Sequence, residues 1–259
     1  YGANVKILTV KGGSSESDWN SDIESIKGDI QFIKSSYPRA LSTNTRSFFS
    51  KLKYRLALAY VKFFAKGNYY DRFSLERNNL CNTVEDVIRQ NQVSHVIITV
   101  APFHGAYFIS QIIHKYPHIV FIVDFRDPWL NNKTAYGFEQ LSPERKEYEK
   151  QAEQKVVEKF DYVVSVSEHM SNAFRKKYTQ FNPGKFITFE NGFDPQDFNR
   201  QFNDSALDKR NINIVFTGTL YNNAHNALRI LNNKMLELYQ SNSTLSNVKW
   251  LFYGGFKET

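Results

Sequence analysis

Short runs of β-branched and aromatic residues alternate along this chain with longer segments in which apolar residues recur every three or four positions. The runs 95–100 and 119–123 are apolar along almost their whole length, which is typical of strands buried on both faces of a parallel sheet. The predicted strands are 5–10, 30–33, 95–100, 119–123, 162–166, 185–189, 212–217 and 248–253. Helices between them predict a doubly wound, Rossmann-like α/β fold with a parallel sheet.

Helical periodicity fills the gaps between the strands, and the start signals support it. Ser142 can cap a helix whose first position is Pro143, and Ser167 can cap the next one. The segment 144–159 is rich in charge, so we expect most of that helix to be solvated. The predicted helices are 78–92, 105–116, 142–159, 168–178 and 224–239.

A polar stretch without periodicity, 199–211, divides the chain. We interpret it as a linker between a domain at 1–198 and the start of a second domain at 212–259. The second segment contains one strand–helix–strand unit, which buries little by itself, so we expect that domain to be incomplete here.

The composition of the chain excludes some classes of protein but does not identify a function. The chain has 259 residues, 41% of them hydrophobic, which is enough for a large core, and it lacks an apolar run long enough to span a bilayer. No secretory signal is predicted at its start, and Cys81 is the single cysteine, which fits a cytoplasmic location. A net charge of +7 favours an anionic partner.

The segment Asp124-Phe-Arg-Asp-Pro-Trp129 directly follows a predicted buried strand. Ligands of open α/β sheets bind beyond the carboxyl ends of the strands, so Asp124, Arg126 and Asp127 are candidate site residues. The alternative is a structural Asp–Arg pair that closes a turn, with Pro128 ending the strand.

His104 follows the strand 95–100 in the same way, at the start of a predicted helix. The positive end of the helix dipole disfavours a cationic ring there, so we expect a neutral imidazole able to accept a proton. A helix-capping or solvated histidine is the alternative. The other histidines have no paired ligand spacing, so no metal site is predicted.

Two glycine-containing turns also follow strands. Gly218 lies between a strand and a helix, where the backbone can approach a phosphate, although most such glycines only form the turn. Asn191-Gly192 follows the strand 185–189 and is most simply a turn, on the ligand side of the sheet. Neither a dinucleotide fingerprint nor a phosphate-binding loop motif is present.

The segment Arg46–Lys66 combines six basic residues, no acidic residue and apolar residues at helical spacing. Such a helix suits an anionic membrane surface. A core-facing helix with a basic outer face is the alternative, and no recognised motif supports nucleic acid as a partner. The apolar residues at that spacing are Phe49, Leu52, Leu56, Ala59, Tyr60 and Phe63.

In combination, five segments resemble the GT-B-fold glycosyltransferases of the GT4 type, glycosyl transferase group 1. They occur in the family's order, and the resemblance covers about residues 80 to 255. The segments are His95–Phe103, Val123–Trp129, Asp161–Ser167, Phe189–Asp194 and Phe216–Tyr221.

The resemblance implies retaining, metal-independent transfer of a sugar from a nucleotide-sugar to a glycan, lipid-linked or small-molecule acceptor, with no cofactor. It implies Asp127 and His104 as catalytic groups facing the acceptor. The acceptor-binding residues that it implies are Arg126, Asp124 and Phe103. The nucleotide-sugar-binding residues that it implies are Gly218, Thr219, Leu220, Asn191, Gly192 and Gly254.

Three departures from the family pattern qualify this resemblance. The strand, glycine-rich turn and helix that the family has before the segment 1–10 are absent, and so is the acidic E-x7-E-like motif of the second domain. A basic residue often found after the glycine is replaced by Asn222 and Asn223. We therefore expect an inactive fragment, and keep as alternatives a sugar-nucleotide epimerase of the same fold and a non-catalytic α/β binding protein.

Overall fold

The computed structural model describes residues 4–10, 29–42, 47–130, 137–195, 210–218, 220, 224–241 and 247–254. The chain divides into two compact units, Tyr1–Gly192 and Phe193–Thr259. The predicted linker 199–211 lies outside the described residues except for its last two positions.

The first unit contains six strands and five α-helices in its described part. Their order matches the predicted alternation, and most bounds differ from the predicted ones by only a few residues. In chain order they are β1 Ile7–Val10, β2 Ile30–Ile33, α1 Phe48–Phe64, α2 Arg77–Gln90, β3 His95–Val100, α3 His104–Ser110, β4 Val120–Phe125, α4 Pro143–Lys159, β5 Tyr162–Ser165, α5 Glu168–Lys177 and β6 Phe186–Thr188.

A four-stranded parallel sheet in the order β3-β4-β5-β6 is flanked by helices and forms the centre of this unit. The prediction of an α/β fold with a parallel sheet is confirmed. In its register Thr99 lies beside Asp124 and Asp124 beside Val164, so these three side chains share one face. Strands β1 and β2 form a separate parallel pair.

The hydrophobic core covers only one face of this sheet in the part of the chain that the structure describes. Phe121, Val123 and Phe125 are fully buried against α2 to α5. On the opposite face Ile97 is 65% exposed and Tyr162 41% exposed. The prediction that the central strands are buried on both faces is therefore wrong for these residues, because an apolar run shows the preference for burial and not whether a second layer covers it.

Two helix starts follow the predicted capping chemistry. The Ser142 hydroxyl accepts a hydrogen bond from the backbone N–H of Arg145, and the Ser167 hydroxyl accepts one from the N–H of Met170. Such caps satisfy N–H groups that have no partner inside the helix. They fix where α4 and α5 leave the carboxyl side of the sheet.

The second unit contains the predicted strand–helix–strand unit. It consists of β7 Ile212–Thr217, α6 Ala224–Ser241 and β8 Val248–Tyr253, with the two strands parallel. No helix in the described ranges is long and apolar enough to cross a membrane.

Candidate functional site

The carboxyl end of β4 gathers polar side chains from three parts of the first unit. Arg126 donates from Nε to Asp124 Oδ2 at 2.8 Å and from Nη1 to Asn191 Oδ1 at 2.7 Å. The Thr99 hydroxyl donates to the same Asp124 oxygen at 3.1 Å. We call Thr99, Asp124, Arg126 and Asn191 the edge cluster.

The edge cluster keeps hydrogen-bonding capacity that the described residues do not use. Asp124 Oδ1 is buried and has no hydrogen-bond partner among them. The Arg126 side chain is 30% exposed and that of Asp124 8%. A buried acceptor without a partner is costly, and a guanidinium edge binds anions or hydroxyl oxygens, so this arrangement suits a polar ligand.

The segment Asp124–Trp129 divides between the edge cluster and the core. Asp127 is half-buried immediately after Arg126. Trp129 is only 3% exposed, and its ring stacks on Phe103 with 5.1 Å between centroids. Phe103 is itself 2% exposed, so the structure places this expected acceptor-binding residue in the core.

His104 belongs to a separate, buried group of charges. Its Nε2 lies 2.6 Å from Glu149 Oε1, and Trp129 Nε1 donates to Glu149 Oε2 at 2.6 Å. Asp71 Oδ2 accepts the backbone N–H groups of Phe103 and His104. We call Asp71, His104 and Glu149 the buried cluster, and each of its side chains has a partner.

Electrostatics in the buried cluster differ from the expectation of a neutral histidine. Burial alone would lower the pKa of His104, but the charges of Asp71 and Glu149 and the hydrogen bond to Glu149 raise it. Burial raises the pKa of Asp71. Burial also opposes ionisation of Glu149, yet the hydrogen bond and charge of His104 hold its pKa below the ordinary value. The geometry favours a His104–Glu149 ion pair over a free base.

Glu149 and Asp71 were not predicted as important residues. The charge-rich segment 144–159 was expected to be mostly solvated, yet Glu149 is 1% exposed and Glu153 3%. A signal was available, because Glu149 shares helical spacing with Ala152 and Val156, which are buried apolar residues.

Asn191 and Gly192 do not form the expected turn. Residues 189–194 have no assigned turn or helix, and the Asn191 side chain accepts from Arg126. Gly192 is exposed, and a Cβ built on it would contact nothing within 4 Å. The structure therefore places Asn191, expected near the nucleotide-sugar, in the edge cluster.

The second unit brings two of its expected site residues together at the carboxyl ends of its strands. Gly218 and Gly254 have φ angles of +144° and +149°. A Cβ on Gly254 would lie 1.8 Å from the Gly218 carbonyl oxygen, so this position requires glycine. Leu220 is half-buried nearby in sequence, whereas Thr219 lies outside the described residues.

No group of three or more His, Cys, Asp or Glu side chains within the described ranges is arranged to hold a metal ion. Searches against protein-family models and curated proteins find no match to this chain. The edge cluster and the glycine pair are therefore the features from which a function can be inferred.

Proposed function

We propose that this chain belongs to a GT-B-fold glycosyltransferase of the GT4 type that transfers a sugar from a nucleotide-sugar to an acceptor. In this proposal the first unit is a Rossmann-like acceptor-side domain and the second unit belongs to the donor domain. The observation that carries it is the edge cluster. Asp124, Arg126 and Asn191 come from two of the five segments that resemble the family, and they meet at the edge where open α/β sheets bind ligands.

The edge cluster would hold the acceptor. The unpartnered Asp124 Oδ1 suits an acceptor hydroxyl, and the exposed part of Arg126 suits a phosphate or a second hydroxyl. Asp127, next in sequence, is the candidate catalytic carboxylate. His104 stays outside the chemistry in this proposal, because its ring is almost fully buried and hydrogen-bonded to Glu149.

The glycine pair of the second unit would receive the donor diphosphate. Gly218 and Gly254 have no side chains that would keep a ligand from the backbone, and α6 begins six residues after Gly218. The first N–H groups of a helix and its positive dipole end favour an anion. Stabilising charge on the leaving diphosphate would supply much of the rate.

Thermal unfolding of the protein at its natural length tests the donor site. We expect one of UDP, GDP or CDP at about 1 mM to raise the unfolding midpoint by several degrees, since ligand at 100 times Kd adds about 2.7 kcal/mol. The matching nucleoside monophosphate should act less, because it lacks the β-phosphate. No shift with any of the three diphosphates would refute the donor site, and a change of sugar stereochemistry without transfer would indicate an epimerase.

A further inference from the structure

Helix α1 has two apolar faces, and only one of them packs against the protein. Val61 is fully buried, and Tyr54 and Leu58 on the same side are half-buried. The other face, which carries the apolar residues singled out in the sequence, is exposed. The alternative of a core-facing helix is therefore wrong for those residues.

The exposed face is a continuous stripe of large apolar residues. At about 100° per residue its members fall within an arc of about 80°, roughly opposite Val61. We call these residues the outer stripe: Phe49 73% exposed, Leu52 45%, Leu56 64%, Tyr60 50% and Phe63 81%.

Basic residues border the outer stripe on both sides. Lys51, Arg55 and Lys62 lie along one border and Lys53 along the other, and no acidic residue occurs between Ser47 and Lys66. An apolar stripe between cationic borders is the pattern of helices that lie in the interface of anionic membranes. Two copies of this helix packed stripe to stripe would bring like charges together, which disfavours a second copy as the occupant.

A cavity of about 930 Å³ opens at the carboxyl end of the same helix. Tyr60 of the outer stripe and the neighbouring Phe64 line it together with Lys66, Arg77 and Lys155, and none of the described residues that line it is acidic. A cationic cavity beside an exposed apolar helix face is suited to the phosphate headgroups of the surface on which the helix lies.

We propose that α1 lies in the interface of an anionic bilayer, with the outer stripe inserted and the cavity mouth at the level of the phosphate headgroups. The inference is independent of the donor site, because it concerns only α1 and the residues around its end. The partner of α1 is a lipid surface.

Co-sedimentation with vesicles tests the inference. We expect the protein to bind phosphatidylcholine vesicles that contain about 30 mol% phosphatidylserine, and to bind pure phosphatidylcholine at least roughly tenfold more weakly. The double variant Leu56→Glu, Phe63→Glu should lose binding at least tenfold. Lys53→Glu with Arg55→Glu should remove most of the preference for anionic lipid, and Lys66→Glu should reduce it less.

Matched controls separate insertion from general surface changes. Ile230→Glu with Leu236→Glu alters two exposed apolar residues of α6, and Lys150→Glu with Lys176→Glu makes the same charge change on α4 and α5. Both should bind like the wild type, and circular dichroism should show all variants folded. Equal binding by the outer-stripe variant and the wild type would overturn the inference. A dimer that only the outer-stripe variant dissociates would also overturn it, because the occupant would then be a second copy.

Discussion

The buried cluster and the edge cluster use similar residues in opposite ways. In the buried cluster Asp71, His104 and Glu149 are nearly inaccessible, and Glu149 accepts hydrogen bonds at both carboxylate oxygens. In the edge cluster Asp124 uses one carboxylate oxygen and leaves the other without a described partner, and Arg126 is partly open.

This difference separates scaffold from site. Charges whose hydrogen bonds are all made inside the protein hold elements together, and losing one partner leaves the others buried and unpaired. Charges with unused capacity near the surface are available for a ligand. We therefore expect changes in the buried cluster to affect stability, and changes in the edge cluster to affect binding and activity.

The largest expected effect is that of Glu149→Ala. It would leave the His104 ring, Trp129 Nε1 and the Asn68 N–H without their shared acceptor. We expect the free energy of unfolding to fall by about 3–5 kcal/mol in urea denaturation. Glu147→Ala on the same helix, where the carboxylate is exposed, should change it by less than about 0.5 kcal/mol. Equal effects of the two substitutions on the free energy of unfolding would contradict the structural role of the buried cluster.

The pH dependence of stability gives the next largest effect. The pKa of His104 is raised in the folded state, so the folded protein keeps a proton that the unfolded chain releases above pH of about 6.5. The stability that His104 contributes is thus complete below that pH and is lost as pH rises through the folded pKa, by up to about 1.4 kcal/mol per pH unit. Asp71 and Glu149 contribute with opposite signs: burial raises the pKa of Asp71, which makes its ionisation costly to the fold, whereas His104, against the effect of burial, lowers the pKa of Glu149, which makes its ionisation stabilising. Urea denaturation above pH of about 6.5 should show this slope in the wild type and a smaller one in His104→Gln; identical slopes would exclude the ion pair.

Arg126→Lys should affect function more than stability. Lysine keeps the charge but cannot bridge Asp124 and Asn191 with a planar fork. We expect a stability loss of about 1 kcal/mol or less, since the guanidinium is partly exposed. Sugar transfer should fall at least about tenfold, which is 1.4 kcal/mol of barrier. Lys185→Arg serves as a control, because Lys185 lies immediately before the start of β6 and Asn191 follows its end. Activity unchanged by Arg126→Lys would contradict the role of the edge cluster.

Asn191→Ala should have the smallest effect on stability. Asn191 is exposed, and the substitution removes one hydrogen bond that Arg126 donates. We therefore expect the free energy of unfolding to change by about 0.5 kcal/mol or less. Acceptor KM should still rise, because Arg126 loses the group that orients it. A stability loss as large as that of Glu149→Ala would make the edge cluster structural.

The sequence predicts the sheet well because its strands are locally encoded. The bounds of 95–100, 212–217 and 248–253 agree with the structure to the residue, since each is a β-branched or aromatic run between polar segments. It also predicts that Asp124 and Arg126 lie at the sheet edge, because the position of a strand end is a local property. The position of Asn191 beside Arg126 depends on contacts 65 residues apart, which no local pattern encodes.

The sequence could not predict which face of each helix packs against the rest of the protein. Glu149 pairs with His104 across 45 residues, so a count of charges on α4 could not distinguish its buried face from its solvated one. The periodicity of α1 predicted an apolar stripe correctly but not that a different face, with Val61, packs inward. Burial depends on neighbours in three dimensions, and periodicity reports only the helix itself.

The most direct test of the account is the release of nucleoside diphosphate from a panel of UDP-, GDP- and CDP-sugars by the protein at its natural length, with cell extracts that contain lipids, glycans and small molecules as acceptors. We predict turnover of one nucleotide class by the wild type, and at least roughly tenfold slower turnover by Arg126→Lys at a temperature at which both proteins are fully folded. Turnover by neither protein, or equal turnover by both, would contradict the assignment of the edge cluster as the acceptor site of a glycosyltransferase.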